Sequence, residues 1–191
     1  MKTGIPIVIS APSGAGKTTL VHLALRRIKG LVFSITATTR QKSKREKHGR
    51  DYFFLTEKEF LKKKKTNAFI ETAMVHGHYY GTLKEQLERK LASGSDAILA
   101  IDVKGALNVQ KQYSDAVLIF IAPPSMKVLE NRLRKRHRDS ENDMQKRLRN
   151  ARREMQYRKY YDYIIVNDSL KNAFKRLKDV IKKERGKRCH H

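Results

Sequence analysis

The residues best suited to chemistry lie near the start of the chain, where residues 8–20 read Val-Ile-Ser-Ala-Pro-Ser-Gly-Ala-Gly-Lys-Thr-Thr-Leu. A glycine-bearing loop here joins an apolar run to a helical pattern. Its backbone N–H groups and the helix N-terminus together predict a concave anion site. Lys17 adds a cation for the β- and γ-phosphates, and the Thr18 hydroxyl is suited to Mg²⁺. The stretch predicts a site for a nucleoside triphosphate with Mg²⁺.

This predicted site departs at one position from the usual pattern, Gly-x-x-x-x-Gly-Lys-Ser/Thr, because Ala11 replaces the first glycine. Alanine is tolerated there if its φ is negative. The apolar run before the loop and the helical spacing of apolar residues over 20–28 favour a phosphate loop over an incidental turn. The residues assigned to the triphosphate are Ala11, Pro12, Ser13, Gly14, Ala15, Gly16, Lys17, Thr18 and Thr19.

A second chemical candidate is Asp102, which follows the apolar run Ala97–Ile101. In phosphate-loop proteins an acid at the carboxyl end of a strand commonly lies near the metal or the substrate. The alternative is a purely structural role as the N-cap of the next helix.

The elements that position these residues must fit a chain of 191 residues, which suffices for one domain with a small inserted lobe. No run of about 18 apolar residues is present, so no membrane span is predicted, and the N-terminus lacks the layout of a signal peptide. The single cysteine, Cys189, excludes an internal disulfide framework and indicates a reducing compartment, the cytoplasm. No sequence feature specifies an oligomeric state.

The formal net charge of +24 is concentrated in three segments, residues 40–65, 126–160 and 171–188, which carry +7, +8 and +7. Such charge raises nucleic-acid binding as a hypothesis. It equally suits a protein that holds two polyanionic nucleotides. Solvated lysine-rich faces explain Lys62–Lys65 and the C-terminal helix best.

Four short apolar runs predict buried parallel strands, because their pattern is continuous rather than alternating. Apolar residues over 144–155 and 170–181 recur at helical spacing. Strands that alternate with helices indicate an α/β fold, a parallel sheet core flanked by helices. The four runs are Ile5–Ser10, Ala97–Ile101, Val117–Ile121 and Tyr163–Val166.

Residues 33–82 differ from this core, because short aromatic and β-branched stretches lie close together, as in a small, mostly β lobe. Thr56 with Glu59, and Thr82 with Glu85, each match the capping-box pattern that begins a helix. A second interruption, near 126–158, is helical and rich in arginine, as expected of a mobile cover over phosphates.

Eight separated blocks of the sequence, in order and covering nearly the whole chain, resemble the guanylate kinase family. The blocks are Ser10–Leu20, Phe33–Arg40, Gly49–Phe54, Phe69–Ala73, His76–Thr82, Ile101–Ala106, Phe120–Ser125 and Val166–Asp168. The resemblance implies transfer of a phosphoryl group from Mg²⁺-ATP to GMP, and to dGMP, giving GDP and ADP. It also implies a phosphate-loop core (1–33, 83–125 and 159–191), a GMP-binding lobe (34–82) and a lid (126–158).

The resemblance assigns roles by matching position. It places Thr36, Glu71 and Thr82 at the guanine and Asp102 elsewhere in the GMP site, with Asp102 also a second candidate for Mg²⁺ beside Thr18. It places Arg40, Tyr52 and Tyr80 at the GMP phosphate and Asn167 near the adenine of ATP. The catalytic cations it implies are Lys17, Arg40 and the lid arginines Arg132, Arg136 and Arg147.

The chemistry of these residue types supports the same substrate. Guanine presents two adjacent donors, N1–H and the exocyclic amine, so one carboxylate such as Glu71 accepts from both, whereas adenine offers a lone pair instead. Arg40 is suited to bidentate contact with a phosphate, and tyrosine hydroxyls supplement it. Tyr79 and Tyr80 alternate across a strand, so one of them belongs to the core, and family position favours Tyr80 as the phosphate ligand.

Two further departures from the family pattern affect the expected substrate affinity. Ser43 stands where a second phosphate-binding arginine is usual, with Lys42, Lys44 and Arg45 as candidates to replace it, although a lysine ammonium is not a planar fork. Ala100 stands where many members have an acid. We expect weaker GMP binding rather than loss of activity. Three alternatives follow: a related module that binds phosphopeptides without catalysis, a kinase of another small phosphate ester, and a nucleic-acid binder, for which no specific motif is present.

Overall fold

The computed structural model describes residues 3–75, 77–135 and 140–188, in which nine strands and seven α-helices occur. The strands are β1 (Pro6–Ser10), β2 (Leu31–Phe33), β3 (Thr36–Thr38), β4 (Phe53–Phe54), β5 (Phe69–Val75), β6 (His78–Leu83), β7 (Asp96–Leu99), β8 (Val117–Ala122) and β9 (Tyr163–Val166). The helices are α1 (Lys17–Arg27), α2 (Glu57–Lys65), α3 (Lys84–Ala92), α4 (Val103–Gln112), α5 (Met126–Arg134), α6 (Glu141–Gln156) and α7 (Leu170–Lys187).

Five strands form a sheet in the order β2-β7-β1-β8-β9. The pairs β2–β7 and β8–β9 are parallel, with Leu31 opposite Asp96 and Ile119 opposite Tyr163. Every residue of β1, β7 and β8 is buried, as expected of strands covered on both faces. The predicted α/β class is confirmed.

Two details of this sheet differ from the sequence-based expectation. Leu31–Phe33 forms β2 beside β7, a fifth core strand that was not among the four predicted, because Phe33 was grouped with the β stretches of the lobe. β9 was predicted to be buried, but it lies at the sheet edge, and Ile164 and Val166 are 49% and 40% exposed. A short apolar run does not reveal how many neighbours a strand has, and an edge strand has one.

The lobe sheet has four strands in the order β4-β3-β6-β5, and its pairs β3–β6 and β5–β6 are antiparallel. Ala37, Phe60 and Phe69 form its small apolar core. The Phe60 ring from α2 stacks on Phe69 and on Tyr79, with centroids 4.4 and 5.3 Å apart. The expected mostly β structure is present in this segment.

One of the two predicted capping boxes is confirmed and the other is wrong. The Thr56 hydroxyl accepts the Glu59 N–H while the Glu59 carboxylate accepts the Thr56 N–H, which begins α2. Thr82 instead lies inside β6, and α3 begins at Lys84 without a side-chain cap. The Thr82 hydroxyl is directed to Glu71, a partner that a local pattern does not reveal.

The arginine-rich segment contains α5 and α6, and Ser125 and Ser140 cap their N-termini. The predicted stripe is confirmed for its first three residues, because Met144, Leu148 and Ala151 are buried. They belong to one apolar cluster with residues of α5 and with Ala15 of the phosphate loop. This cluster joins the loop to the two helices.

The chain forms two compact units. The first contains Met1–Ile7, Gly30–Leu99 and Leu107–Ala116, and the second contains Val8–Lys29, Ala100–Ala106 and Val117–His191. Within the described ranges, every helix is too short or too polar to cross a membrane.

Candidate functional site

The phosphate loop lies in the second unit, between the end of β1 at Ser10 and the start of α1 at Lys17. Gly14 and Gly16 have φ angles of +88° and +92°, values that only glycine adopts readily. Among the described residues the one non-glycine residue with positive φ is Asn67, so Ala11 does not need the freedom of a glycine. The expectation that alanine is tolerated at this position is confirmed.

A cavity of about 310 Å³ lies over the loop. The Lys17 ammonium, one of its lining groups, donates to the carbonyl of Ile101 at 3.0 Å. Ala15 is the one predicted loop residue that does not line the cavity, because it is fully buried in the apolar cluster. The lining residues are Ala11, Pro12, Ser13, Gly14, Gly16, Lys17, Thr18, Thr19, Asp102 and Glu154.

Asn167 contacts the phosphate loop directly, and Arg132 contacts Asn167. The buried Asn167 amide donates through Nδ2 to the Ala15 carbonyl at 2.7 Å. The Arg132 guanidinium donates to the Asn167 carbonyl at 2.9 Å. Arg147 is half-buried on α6, and Arg136 lies outside the described residues.

Asp102 has the structural role that was the alternative interpretation, and it also lines the cavity. Its Oδ1 accepts the Gly105 N–H at 2.7 Å, which caps α4. Its carboxylate and the Thr18 hydroxyl are hard oxygen donors, the class that Mg²⁺ prefers, so the residues present fit that ion.

Glu154 is a cavity residue that the sequence reasoning missed. It is half-buried on α6 and lines the cavity together with Ser13 of the loop. Burial raises the pKa of its carboxyl, while the nearby backbone N–H of Ser13 and the charge of Lys17 oppose the rise. One signal for it exists, since Glu154 follows Ala151 by three residues and thus borders the apolar stripe of α6.

The residues predicted to face guanine lie together in the first unit. Thr36 of β3 is opposite Thr82 of β6, and Thr82 is opposite Glu71 of β5. The Thr82 hydroxyl donates to Oε1 of Glu71 at 2.7 Å. Glu71 and Thr82 are 7% and 1% exposed, so this carboxyl is held in a buried, polar setting.

The residues predicted to face the GMP phosphate also lie together in the first unit. The Arg40 guanidinium lies 5.3 Å from the Tyr52 ring centroid, and the Tyr52 and Tyr80 centroids are 6.2 Å apart. Burial and the neighbouring Tyr80 raise the pKa of Tyr52. Tyr79 points to the other face and stacks on Phe60 in the lobe core, as alternation requires.

Glu46 is the second residue that the sequence reasoning missed. It forms an ion pair with Arg40 at 2.6 Å. Its other oxygen, Oε2, accepts the Ser43 N–H at 2.9 Å. These contacts lower the pKa of Glu46 to about 2, with Arg40 as the largest cause.

A family model described as guanylate kinase matches residues 3–184 of the chain. The guanylate kinase of Thermotoga maritima is 46% identical over 180 residues, covering 94% of this chain and 87% of the relative. The chain belongs to the guanylate kinase family. A second member, the guanylate kinase of Desulfotalea psychrophila, is 45% identical and covers 98% of this chain and 93% of the relative.

The solved structures give the same family. The crystal structure of guanylate kinase from Anaplasma phagocytophilum matches with a TM-score of 0.74 and 32% sequence identity. The match covers 96% of this chain and 87% of the Anaplasma chain. A shikimate kinase from Bacteroides thetaiotaomicron matches with a TM-score of 0.51 and 14% identity. The latter likeness concerns the fold alone.

Proposed function

We propose that this chain transfers the γ-phosphoryl group of ATP to GMP, and to dGMP, producing ADP and GDP. The observation that carries the proposal is the buried Glu71 carboxyl, fixed by Thr82 at 2.7 Å, in the same compact unit as Arg40, Tyr52 and Tyr80. Such a unit offers an acceptor for a base and an arginine for a phosphate. The named relatives are guanylate kinases.

Glu71 is the proposed discriminator of the base. A carboxylate accepts from both N1–H and the exocyclic amine of guanine, and Thr82 lies beside it on β6, with Thr36 next in the same row on β3. Adenine would leave the buried carboxylate facing a lone pair, and an unsatisfied buried polar group costs about 1–3 kcal/mol. This asymmetry favours GMP over AMP.

Arg40, Tyr52 and Tyr80 are the proposed ligands of the GMP phosphate. The acceptor needs no general base, because a phosphate monoester with a second pKa of about 6 is largely ionised near neutral pH. Catalysis then consists of alignment and neutralisation of charge on the transferred group.

The loop N–H groups and Lys17 are proposed to hold the ATP phosphates, with Asn167 near the adenine. Thr18, with Asp102 as the second candidate, would hold Mg²⁺, which neutralises phosphate charge when bound. Arg132, Arg136 and Arg147 are proposed as lid cations. The division into core (1–33, 83–125, 159–191), GMP lobe (34–82) and lid (126–158) is part of this proposal, as is a location in the cytoplasm.

The catalytic proposal is favoured over a phosphopeptide-binding module, because the phosphate loop keeps Lys17, Thr18 and a cavity above them. A kinase of a different phosphate ester would lack a use for the buried Glu71. The only feature that supports nucleic-acid binding is the positive net charge, and no specific motif accompanies it.

The decisive experiment measures ADP release with ATP and, in turn, GMP, dGMP, AMP, CMP and UMP. The wild type should use GMP and dGMP. Glu71→Gln should lower kcat/KM for GMP by about a hundredfold, because the amide accepts at one atom only. Glu85→Gln is the matched control, since Glu85 is an exposed carboxylate of α3 paired with Arg89, and it should match the wild type.

Lys17→Ala tests the ATP side and should lower kcat at least about a hundredfold. Unchanged base preference in Glu71→Gln would remove Glu71 as the discriminator. Turnover with none of the nucleotides would contradict the function itself.

A further inference from the structure

The arginine proposed for the GMP phosphate is already engaged by a carboxylate of its own chain, and the inference drawn from this rests on the proposed function. Arg40 Nη2 donates to Glu46 Oε1 at 2.6 Å and Nη1 donates to Oε2 at 3.1 Å. Nη1 also donates to the Gln41 carbonyl at 2.8 Å. The terminal edge of the guanidinium is therefore taken.

A guanidinium has a second edge that binds an oxyanion through two parallel N–H bonds, formed by Nε–H and the outer hydrogen of Nη2. The contacts of Nη1 and Nη2 to Glu46 and Gln41 use the terminal edge and leave this lateral edge as the one available for a bidentate phosphate. The Tyr80 ring lies 6.2 Å from the Tyr52 ring, which puts another proposed phosphate ligand in the same group of side chains.

Glu46 is itself held in place, so it can hold another group. Oε2 accepts the Ser43 N–H at 2.9 Å, which closes a short turn, and the Glu46 N–H donates to the Ser43 carbonyl at 3.1 Å. The aromatic rings of Tyr52 and Phe54 lie 5.3 and 5.8 Å from Arg40 Cζ. Arg40 is thus constrained by a carboxylate and by two rings.

We propose that Glu46 is a positioning residue that orients Arg40 so that its lateral edge receives the GMP phosphate. Ser43 supplies no cation, which leaves Arg40 as the one arginine among the residues proposed for the GMP phosphate. An arginine already fixed in its binding orientation loses less conformational freedom when the ligand arrives. Glu46 acts through Arg40 and does not contact the substrate.

The alternative role of Glu46 is competition with the phosphate. In that case Arg40 must release Glu46 before it can bind GMP. The two roles predict opposite changes in affinity when the carboxylate is removed. The phosphate-free nucleoside guanosine separates effects on the phosphate from effects on the base site.

The experiment measures dissociation constants of GMP and guanosine by calorimetry for the wild type, Glu46→Gln and Asp51→Asn. Asp51 is the matched control, because its carboxylate also caps a backbone N–H of the same loop, that of Lys47 at 2.7 Å, and pairs with Arg50. The same pair of ligands is measured for Arg40→Lys with and without Glu46→Gln.

We expect Glu46→Gln to weaken GMP binding about tenfold, because the amide offers one acceptor and turns a donor toward Arg40. Guanosine binding and Asp51→Asn should stay at wild-type values, and Glu46→Gln should add little in the Arg40→Lys background. Unchanged or tighter GMP binding in Glu46→Gln, or equal losses for GMP and guanosine, would overturn the proposal. A wild type that binds no GMP would overturn the proposed function instead.

Discussion

At the scale of single residues, the pair formed by Arg40 and Glu46 keeps both groups charged. Arg40 lowers the pKa of Glu46 from 4.5 to about 2, and Glu46 raises the pKa of Arg40. A carboxyl with a lowered pKa in the folded chain stabilises the fold above its ordinary pKa, and this contribution is lost as the pH falls from 4.5 toward about 2.

This pair yields a prediction for titration. In the wild type the Glu46 carboxyl should remain ionised between about pH 6 and pH 4, and in Arg40→Leu its midpoint should rise toward the ordinary glutamate value, with the Ser43 N–H still opposing the rise. Carbon-detected NMR of the side-chain carboxyl follows both. A wild-type midpoint at the ordinary value would mean that the ion pair does not persist in solution.

Two carboxylates, Glu46 and Glu154, were missed by the sequence reasoning, whereas Lys17 and Glu71 were found. Lys17 is recognised because its neighbours in sequence form its site. Glu154 lines the same cavity as Ser13, about 140 positions earlier in the chain, and Glu46 bonds to Arg40 through a loop without a regular pattern. Which carboxylate faces a given cation depends on the folded path of the chain.

At the scale of elements, the turn from β1 into α1 depends on the backbone at Gly16. A Cβ at this position would lie 2.4 Å from Nδ2 of Asn167, and the φ of +92° is itself unfavourable for alanine. The same Asn167 amide donates to Ala15. The loop, α1 and the strand end at Asn167 are therefore joined at one crowded point.

Gly16→Ala should destabilise the fold by about 1–3 kcal/mol and weaken ATP binding, since the loop must shift to admit the methyl group. Urea denaturation and calorimetric titration with ATP measure the two effects. Gly186→Ala is the matched control, because a Cβ added at this position of α7 would meet nothing within 4 Å. It should stabilise the fold by about 0.5–1 kcal/mol. Wild-type stability and ATP affinity in Gly16→Ala would contradict this account of the loop.

The elements themselves were largely predictable where local chemistry decides them. Thr56 and Glu59 satisfy each other within one turn, so the pattern predicts the start of α2. Thr82 and Glu85 carry the same pattern, yet the Thr82 hydroxyl bonds to Glu71, eleven residues earlier, in the neighbouring strand. Pairing between strands overrides a local cap whenever the hydroxyl is already used in the sheet.

At the scale of the whole molecule, the charge of +24 governs how polyanions approach. Release of counterions makes such binding strongly dependent on salt and indifferent to base sequence. We predict that two single-stranded DNA oligonucleotides of unrelated sequence bind equally, and that both lose affinity as salt rises from about 0.05 to 0.2 M. Fluorescence anisotropy measures this. A preference for one oligonucleotide that persists at the higher salt would indicate a specific nucleic-acid site.

The sequence by itself determined the phosphate loop, the α/β alternation and the family, because these depend on residues that are contiguous or on blocks in a fixed order. Only the tertiary structure decided that Leu31–Phe33 is a strand of the core sheet, that β9 lies at an edge, and that the Thr82 hydroxyl bonds to Glu71 rather than capping a helix. The physical reason is the sequence separation over which each interaction acts. Backbone propensity and helix capping depend on residues within about one turn of each other. Strand neighbours and the partners of buried or paired carboxylates are chosen by the packing of distant segments.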